Sequence, residues 1–206
     1  MVGVDLDKEL LEEHKHILSP GTYQWINKRY NELLIKVFAG SVGDRDKNLK
    51  RLLPDTSTTS MVSMVELIEH LNPDTLELFS SNLFQFLQPS YIFISTPNSE
   101  FNVLFPPSEE KFRHWDHKFE WTRIEFQNWC DGIIYSYPNY TYELVDIGET
   151  DESRARNLGP CSQAALFTRE KYVKNNIKGE SKYTEVAEWK DFTLKNYSVS
   201  GKLNFF

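Results

Sequence analysis

Two carboxylates and an imidazole fall within five residues in Glu66-Leu67-Ile68-Glu69-His70, and a further imidazole, His117, lies in the downstream stretch Trp115-Asp116-His117-Lys118-Phe119-Glu120-Trp121. On a helical turn, positions i, i+3 and i+4 share a face, so this spacing predicts that Glu66, Glu69 and His70 point one way while Leu67 and Ile68 face a core. With His117 as a fourth donor, the mixed nitrogen and oxygen set suits a divalent ion of intermediate hardness: Mn²⁺, Mg²⁺, Fe²⁺, Co²⁺ or Zn²⁺. The same spacing also occurs on solvated helix faces, and the residues alone leave both readings open. His117 follows His70 by 47 residues, so only tertiary folding can join them. Asp116 offers His117 an acceptor, His114 reads as a nearby decoy, and His14 and His16 read as solvated.

A second polar signal is Asp5, closing the apolar run Met1-Val2-Gly3-Val4. An acid at a strand's end is the group that a doubly wound fold uses to hold ribose hydroxyls, although Asp5 could equally cap the helix that follows. Other chemistries find no support. There is no G-x-S-x-G, no phosphate-binding glycine loop and no C-x-x-C, and the two cysteines, Cys130 and Cys161, lack a context that would activate them.

The elements that must position these groups alternate. Met1–Asp5, Leu33–Phe38, Met61–Val65 and Tyr91–Ser95 read as strands, and Lys8–Leu18 reads as a helix capped by Asp7. A second helical or irregular stretch carries Tyr23, Trp25, Ile26 and Tyr30. A charged loop runs from Gly43 to Thr59, and Pro73 to Leu87 reads as a helix. The segment Ser99 to Trp121 is an irregular loop shaped around a ligand, and Arg123 to Cys130 a short helix. Tyr142–Ile147 and Ser162–Phe167 form a strand pair joined by a polar, mobile link from Gly148 to Pro160. Three polar signals, Asp5, the Gly40-Ser41-Val42 turn and Glu66, fall at carboxyl ends of strands, where α/β sheets place their ligands. Glu66 closes its strand, leaving Glu69 and His70 to enter the turn.

The 206 residues suit one domain, and the net charge of −7 with a pI near 5.3 excludes a protein that holds nucleic acid by a broad basic face. Any such contact must be local. The expected setting is reducing and intracellular, with no membrane span.

Three long stretches in order resemble the small-RNA 3′-terminal 2′-O-methyltransferases, the Hua-enhancer family. They are Val65-Glu66-Leu67-Ile68-Glu69-His70-Leu71, Ile94-Ser95-Thr96-Pro97-Asn98-Ser99-Glu100-Phe101-Asn102 and Asp116-His117-Lys118-Phe119-Glu120-Trp121-Thr122-Arg123. The likeness runs from Val2-Gly3-Val4-Asp5 through Gly40-Ser41-Val42 to Cys161-Ser162-Gln163.

The resemblance implies a Rossmann-like, S-adenosylmethionine-dependent methyltransferase of the α/β class, its sheet mostly parallel with an antiparallel C-terminal strand pair. The activity it implies is methyl transfer to the 2′-hydroxyl of the last nucleotide of a small RNA, which protects silencing RNAs. By motif, Glu66, Glu69, His70 and His117 match the metal ligands, for Mg²⁺ or Mn²⁺ bound to the terminal 2′- and 3′-hydroxyls, and His70 is the candidate base. Asp5, Ser41 and Val42 match cofactor-binding positions. Asn98, Glu100, Phe101 and Asn102 would line the terminal nucleotide, with Arg113, Lys118 and Arg123 at phosphates.

The expected partner is an Argonaute or Piwi-type protein that presents the RNA, and the expected protein is a cytoplasmic monomer. Family members carry a D-x-G-C-G-type turn on a first, central strand, and this chain starts after that point. The expectation is therefore a methyltransferase domain over 1–169, incomplete at its amino end and lacking its first strand, with an extension over 170–206. Two rivals stand beside it: a truncated, non-catalytic remnant that binds a metal or an Argonaute-type partner, and a hydrolase using the same four ligands.

Overall fold

The computed structural model describes residues 1–18, 33–53, 59–106, 111–174 and 178–191. The expected helical or irregular stretch around Tyr23 to Tyr30 lies outside them. The chain divides into two compact units, Met1–Asp44 together with the chain from Ser181, and Arg45–Glu180.

In the first unit, β1 (Val2–Asp5) and β2 (Leu33–Ala39) are parallel and in register from Val2–Lys36 to Asp5–Ala39. Between them in sequence lies α1 (Lys8–His14), whose first turn is closed by Asp7, the side chain accepting from the Leu10 amide at 2.9 Å. The helix gives way to a 3₁₀ turn over Lys15–Leu18, and His14 and His16 are both exposed. A third strand, β7 (Thr184–Asp191), runs antiparallel along β2. It comes from the stretch beyond Glu170, where the sequence shows no period, because its alternation is masked by charges that reach over the sheet. Glu185 and Glu188 both pair with Lys36 of β2.

At the carboxyl end of β2 the chain turns at Gly40 against the ring of Tyr183, so closely that an added Cβ would lie 2.3 Å from the ring carbon Cδ1. The Tyr183 hydroxyl donates to the carbonyl of Ser41 at 2.7 Å. Glycine is required here by close approach.

The second unit opens with α2 (Lys47–Leu52), inside what reads in sequence as a charged loop. Its cap is Asp46, which is fully buried and accepts from the amides of Asn48 and Leu49. The sheet has the order β3 (Met61–Met64), β4 (Tyr91–Pro97), β6 (Ser162–Arg169), β5 (Tyr140–Ile147). β3 and β4 are parallel, whereas β6 is antiparallel to both β4 and β5, so the C-terminal pair is joined to the rest through β6. Over the whole chain the pairing is mixed, two parallel and three antiparallel ladders among the described residues.

Helix α3 (Pro73–Ser80) begins with proline, whose missing amide costs nothing at that position. It continues as a π-helical stretch over Ser81–Leu87 that buries Leu83, Phe84, Phe86 and Leu87. Helix α4 (Arg123–Ser136) outruns the expected Cys130. A capping box of Thr122 and Glu125 starts it, and Phe126, Cys130 and Ile133 form its buried side. The expected mobile link holds α5 (Asp151–Ala155), capped by Thr150 and Ser153. The core of this unit centres on Phe84, stacked with Tyr137 and edge-on to Tyr140 and Phe167. No helix among the described residues is long and apolar enough to cross a membrane.

Candidate metal centre

Because β3 and β4 are parallel neighbours, their carboxyl ends lie side by side, and this brings Val65-Glu66 next to Ser95-Thr96. Glu66 leaves the strand in a left-handed conformation, φ 49°, which costs a non-glycine residue about 1–3 kcal/mol unless its surroundings enforce it. Ser95 does so. Its carbonyl accepts the Glu66 amide at 3.2 Å, and its hydroxyl donates to Glu66 Oε1 at 2.8 Å. The chain then makes a 3₁₀ turn over Ile68–His70 with Ile68 fully buried. The spacing is therefore used by a strand end and one tight turn, and not by a regular helix.

Glu69 is wholly buried, where the sequence pattern suggests a solvent-facing ligand. Its Oε2 accepts from the Thr96 hydroxyl at 2.9 Å, but its Oε1 has no hydrogen-bond partner. Burial pushes its carboxyl up from the ordinary 4.5 to about 7, with the nearby charge of Glu66 adding to the rise. A buried carboxylate oxygen with no donor is unfavourable, and either a proton or a cation relieves it.

Tertiary folding does bring His117 to His70. The ring centroids are 4.8 Å apart, and His114 completes a trio in which one donor atom from each imidazole lies within 4.8 Å of the others. The segment is tied to the claw through the Lys118 amide, which donates to the Glu69 carbonyl at 2.7 Å. Each ring is oriented by what holds its Nδ1. His70 Nδ1 faces Asp116 Oδ2 at 3.0 Å, and His117 Nδ1 faces Glu120 Oε1 at 2.6 Å. A carboxylate on Nδ1 keeps the proton there, leaving the Nε2 lone pair for a metal.

His114 has the opposite arrangement. Its Nδ1 accepts from the Asp116 amide at 3.2 Å, which places the proton of the neutral ring on Nε2 and makes that atom a donor. The trio thus offers two metal-binding imidazoles and one N–H. Glu66 and Glu69 lie outside the 4.8 Å cluster. Glu69 precedes His70 in the chain, and its carbonyl holds the Lys118 amide next to His117.

Two of these groups escape a reading of the sequence. Asp116 serves His70 and not its neighbour His117, and the acceptor on His117 is Glu120. The latter's side chain is fully buried and also accepts from Asn102 Nδ2 and the Arg113 amide, each at 2.6 Å. The three-residue step from His117 to Glu120 was the available signal.

The residues expected at the RNA end divide sharply. Asn98 is fully buried, donating to the carbonyls of Leu158 and Pro160 and accepting from the Glu100 amide. Phe101 is buried as well. Arg113 spends all three guanidinium nitrogens on Asn102, Cys161 and Asn98, so it braces the loop from inside. Arg123 pairs with Glu100 and the Asn157 carbonyl, and Lys118 pairs with Asp116.

The cofactor candidates belong to the first unit. Because β1 and β2 are parallel, Asp5 sits opposite Ala39, at the same end as the Gly40-Ser41-Val42 turn. Asp5 is exposed, and Oδ1 accepts from the Asp7 amide at 2.8 Å. The helix cap is Asp7, and Asp5 orders the turn that leads into it.

No family model matches the chain. It is 40% identical over 170 residues to a small RNA 2′-O-methyltransferase of Drosophila melanogaster and 41% identical over 169 residues to one of Xenopus tropicalis. These matches cover 81% and 82% of this chain and 41% and 43% of those relatives, so the chain spans about two fifths of their length. Among solved structures, the small RNA methyltransferase HEN1 superposes with a TM-score of 0.73 at 28% identity, over 93% of this chain and 22% of that one. The methyltransferase domain of a bacterial Hen1 protein superposes with a TM-score of 0.61 at 33% identity, over 82% of this chain and 77% of that domain. With the mixed α/β sheets described above, these likenesses give the chain a Rossmann-like methyltransferase fold, and it belongs to the Hen1 family of small-RNA methyltransferases.

Proposed function

We propose that the chain transfers a methyl group from S-adenosylmethionine to the 2′-hydroxyl of the 3′-terminal nucleotide of a small RNA, at a divalent metal centre held by Glu66, Glu69, His70 and His117. The observation that carries this reading is the unpartnered, buried Glu69 Oε1, one residue before His70, whose Nδ1, like that of His117, is held by a carboxylate. Hard carboxylate oxygens together with imidazole nitrogens suit Mg²⁺ or Mn²⁺. Such an ion, when bound, supplies Lewis acidity that lowers the pKa of a ribose hydroxyl.

The chain's own residues supply the rest. Ser95 and Thr96 fix the two carboxylates, and Asp116 and Glu120 fix the two rings. His70, half-exposed with its Nδ1–H on Asp116, keeps Nε2 able to ligate or to take the hydroxyl proton. Asp5 and the Ser41-Val42 turn are the proposed contacts for the cofactor ribose and adenine, supported by their shared position at the carboxyl ends of parallel strands. The reading extends to an Argonaute-type protein that presents the RNA end. A net charge of −7 supports this, because the chain has no broad attraction for a polyanion.

The test is transfer of labelled methyl from S-adenosylmethionine to short RNAs ending in a ribonucleotide or a 2′-deoxynucleotide, with Mn²⁺ or with chelator. Label confined to the ribonucleotide end and lost with chelator supports the reading. Label that persists in chelator, or in Glu69→Ala and His117→Ala variants, overturns the metal assignment. Absence of transfer with S-adenosylmethionine unbound favours the non-catalytic remnant. Hydrolysis of the RNA end in place of methylation favours the hydrolase.

A further inference from the structure

Trp115 stands out among the aromatic residues of the metal-site segment. Phe119 and Trp121 stack on each other at 4.2 Å, and Trp121 packs on towards Phe126 and Trp129, so both are half-buried and already partnered. The Trp115 indole is 76% exposed, and its ring contact among the described residues is with His114, at 5.3 Å between centroids. Single exposed aromatic rings are ordinary on protein surfaces, and what sets this one apart is its contact with a member of the imidazole cluster.

Its place is fixed by the backbone. The His117 amide donates to the His114 carbonyl, the Asp116 amide to His114 Nδ1, and the Lys118 amide to the Glu69 carbonyl, so the loop is tied on both sides of the indole. The ring contacts the imidazole cluster directly at His114.

We propose that Trp115 is a stacking platform for an unpaired nucleobase at the 3′ end of the RNA, which it holds while the terminal ribose reaches the metal centre. This rests on the reading under Proposed function and adds how the end is gripped. The surroundings favour a base over an apolar protein surface. Its chain neighbours are His114 and Asp116, the latter paired with Lys118, and an exposed π-face beside polar groups fits a flat heterocycle with polar edges better than a hydrophobic anchor. Stacking also explains how an acidic chain grips RNA, since it needs no positive field and tolerates any base. His114, with its proton on Nε2, adds a donor beside the platform for a sugar or phosphate oxygen.

The test measures binding of short single-stranded RNAs to the whole chain in Mn²⁺, comparing wild type with Trp115→Ala and Trp115→Phe. Mn²⁺ affinity and melting temperature serve as checks on folding. The expected result is that Trp115→Ala weakens RNA binding about 5- to 100-fold, the loss typical of removing one stacked base, while Trp115→Phe keeps most of it. RNAs whose last two nucleotides are abasic should bind wild type and Trp115→Ala equally, and the four terminal bases should bind wild type alike.

Unchanged RNA binding by Trp115→Ala, or a loss that persists with abasic RNA, overturns the platform and leaves the methyltransferase reading standing. Wild type that binds Mn²⁺ but no RNA overturns the platform and the RNA reading together. Loss confined to binding of an Argonaute-type protein would assign the indole to a protein contact and also overturn the platform.

Discussion

His117 and Glu120 form a buried pair, imidazole Nδ1 to carboxylate Oε1 at 2.6 Å, in which the Glu120 side chain has no exposure and that of His117 has 8%. The carboxylate sets the ring's tautomer and its angle. It also ties the ring to Asn102 and the Arg113 backbone, so one residue connects the proposed ligand to the loop around it. Glu120→Gln, which keeps the shape but loses the charge, is expected to weaken Mn²⁺ binding about 10- to 100-fold. Calorimetric titration of metal into the two proteins measures it. Equal affinities would show that Glu120 only braces the loop.

His114 and His117 are predicted to differ although they share one cluster. With its proton on Nε2, His114 has no lone pair to offer the ion, so His114→Ala should leave Mn²⁺ affinity near the wild-type value. His117→Ala should lose the affinity that a missing ligand removes. The Mn²⁺ electron paramagnetic resonance signal of free ion, followed during titration, distinguishes the two, and equal losses would make His114 a ligand.

Glu69 should make the metal-free protein less stable as pH rises. The folded state holds its proton up to about pH 7, while the unfolded chain releases it near 4.5. Stability is thus greatest below 4.5 and falls between 4.5 and 7. At 1.36 kcal/mol per pH unit the loss is about 3 kcal/mol. Glu69→Gln removes this slope, so denaturant midpoints of the two proteins should diverge across that window, with the variant the more stable at pH 8. Saturating Mn²⁺ should reverse the order at pH 8, because only the carboxylate binds the ion. Parallel curves without metal would contradict the burial that raises this group.

How much of the site could be read from sequence follows from how local each contact is. The grouping of Glu66, Glu69 and His70 at a strand's end was legible because they sit within five residues, although the burial of Glu69 was not, and Asp7 was legible as a cap because its partner is three residues away. The assignment of Asp116 to His70 was not legible, because 46 residues separate them and sequence adjacency pointed to His117. Arg113 reads as a phosphate contact by its charge alone, yet its acceptors are carbonyls and an amide gathered from Asn98, Asn102 and Cys161. Strand β7 was hidden for a related reason. Its charged residues face Lys36 across the ladder, and that pairing is 149 residues long in sequence.

Gly40 and Tyr183 provide a last prediction, at the turn where Ser41 and Val42 are the proposed adenine contacts. A methyl group at residue 40 would meet the Tyr183 ring at 2.3 Å, and the ring can yield only by giving up its hydrogen bond to the Ser41 carbonyl. Gly40→Ala should therefore cost about 1–3 kcal/mol, as overpacking does, and weaken S-adenosylmethionine binding by displacing the turn. Removing the obstacle separates the causes. In a Tyr183→Ala background the same Gly40→Ala change should cost much less, so that a double-mutant cycle on unfolding free energies gives a coupling well above the error of additivity, about 0.3–0.5 kcal/mol. Strict additivity would mean that the ring is not what excludes a side chain at residue 40.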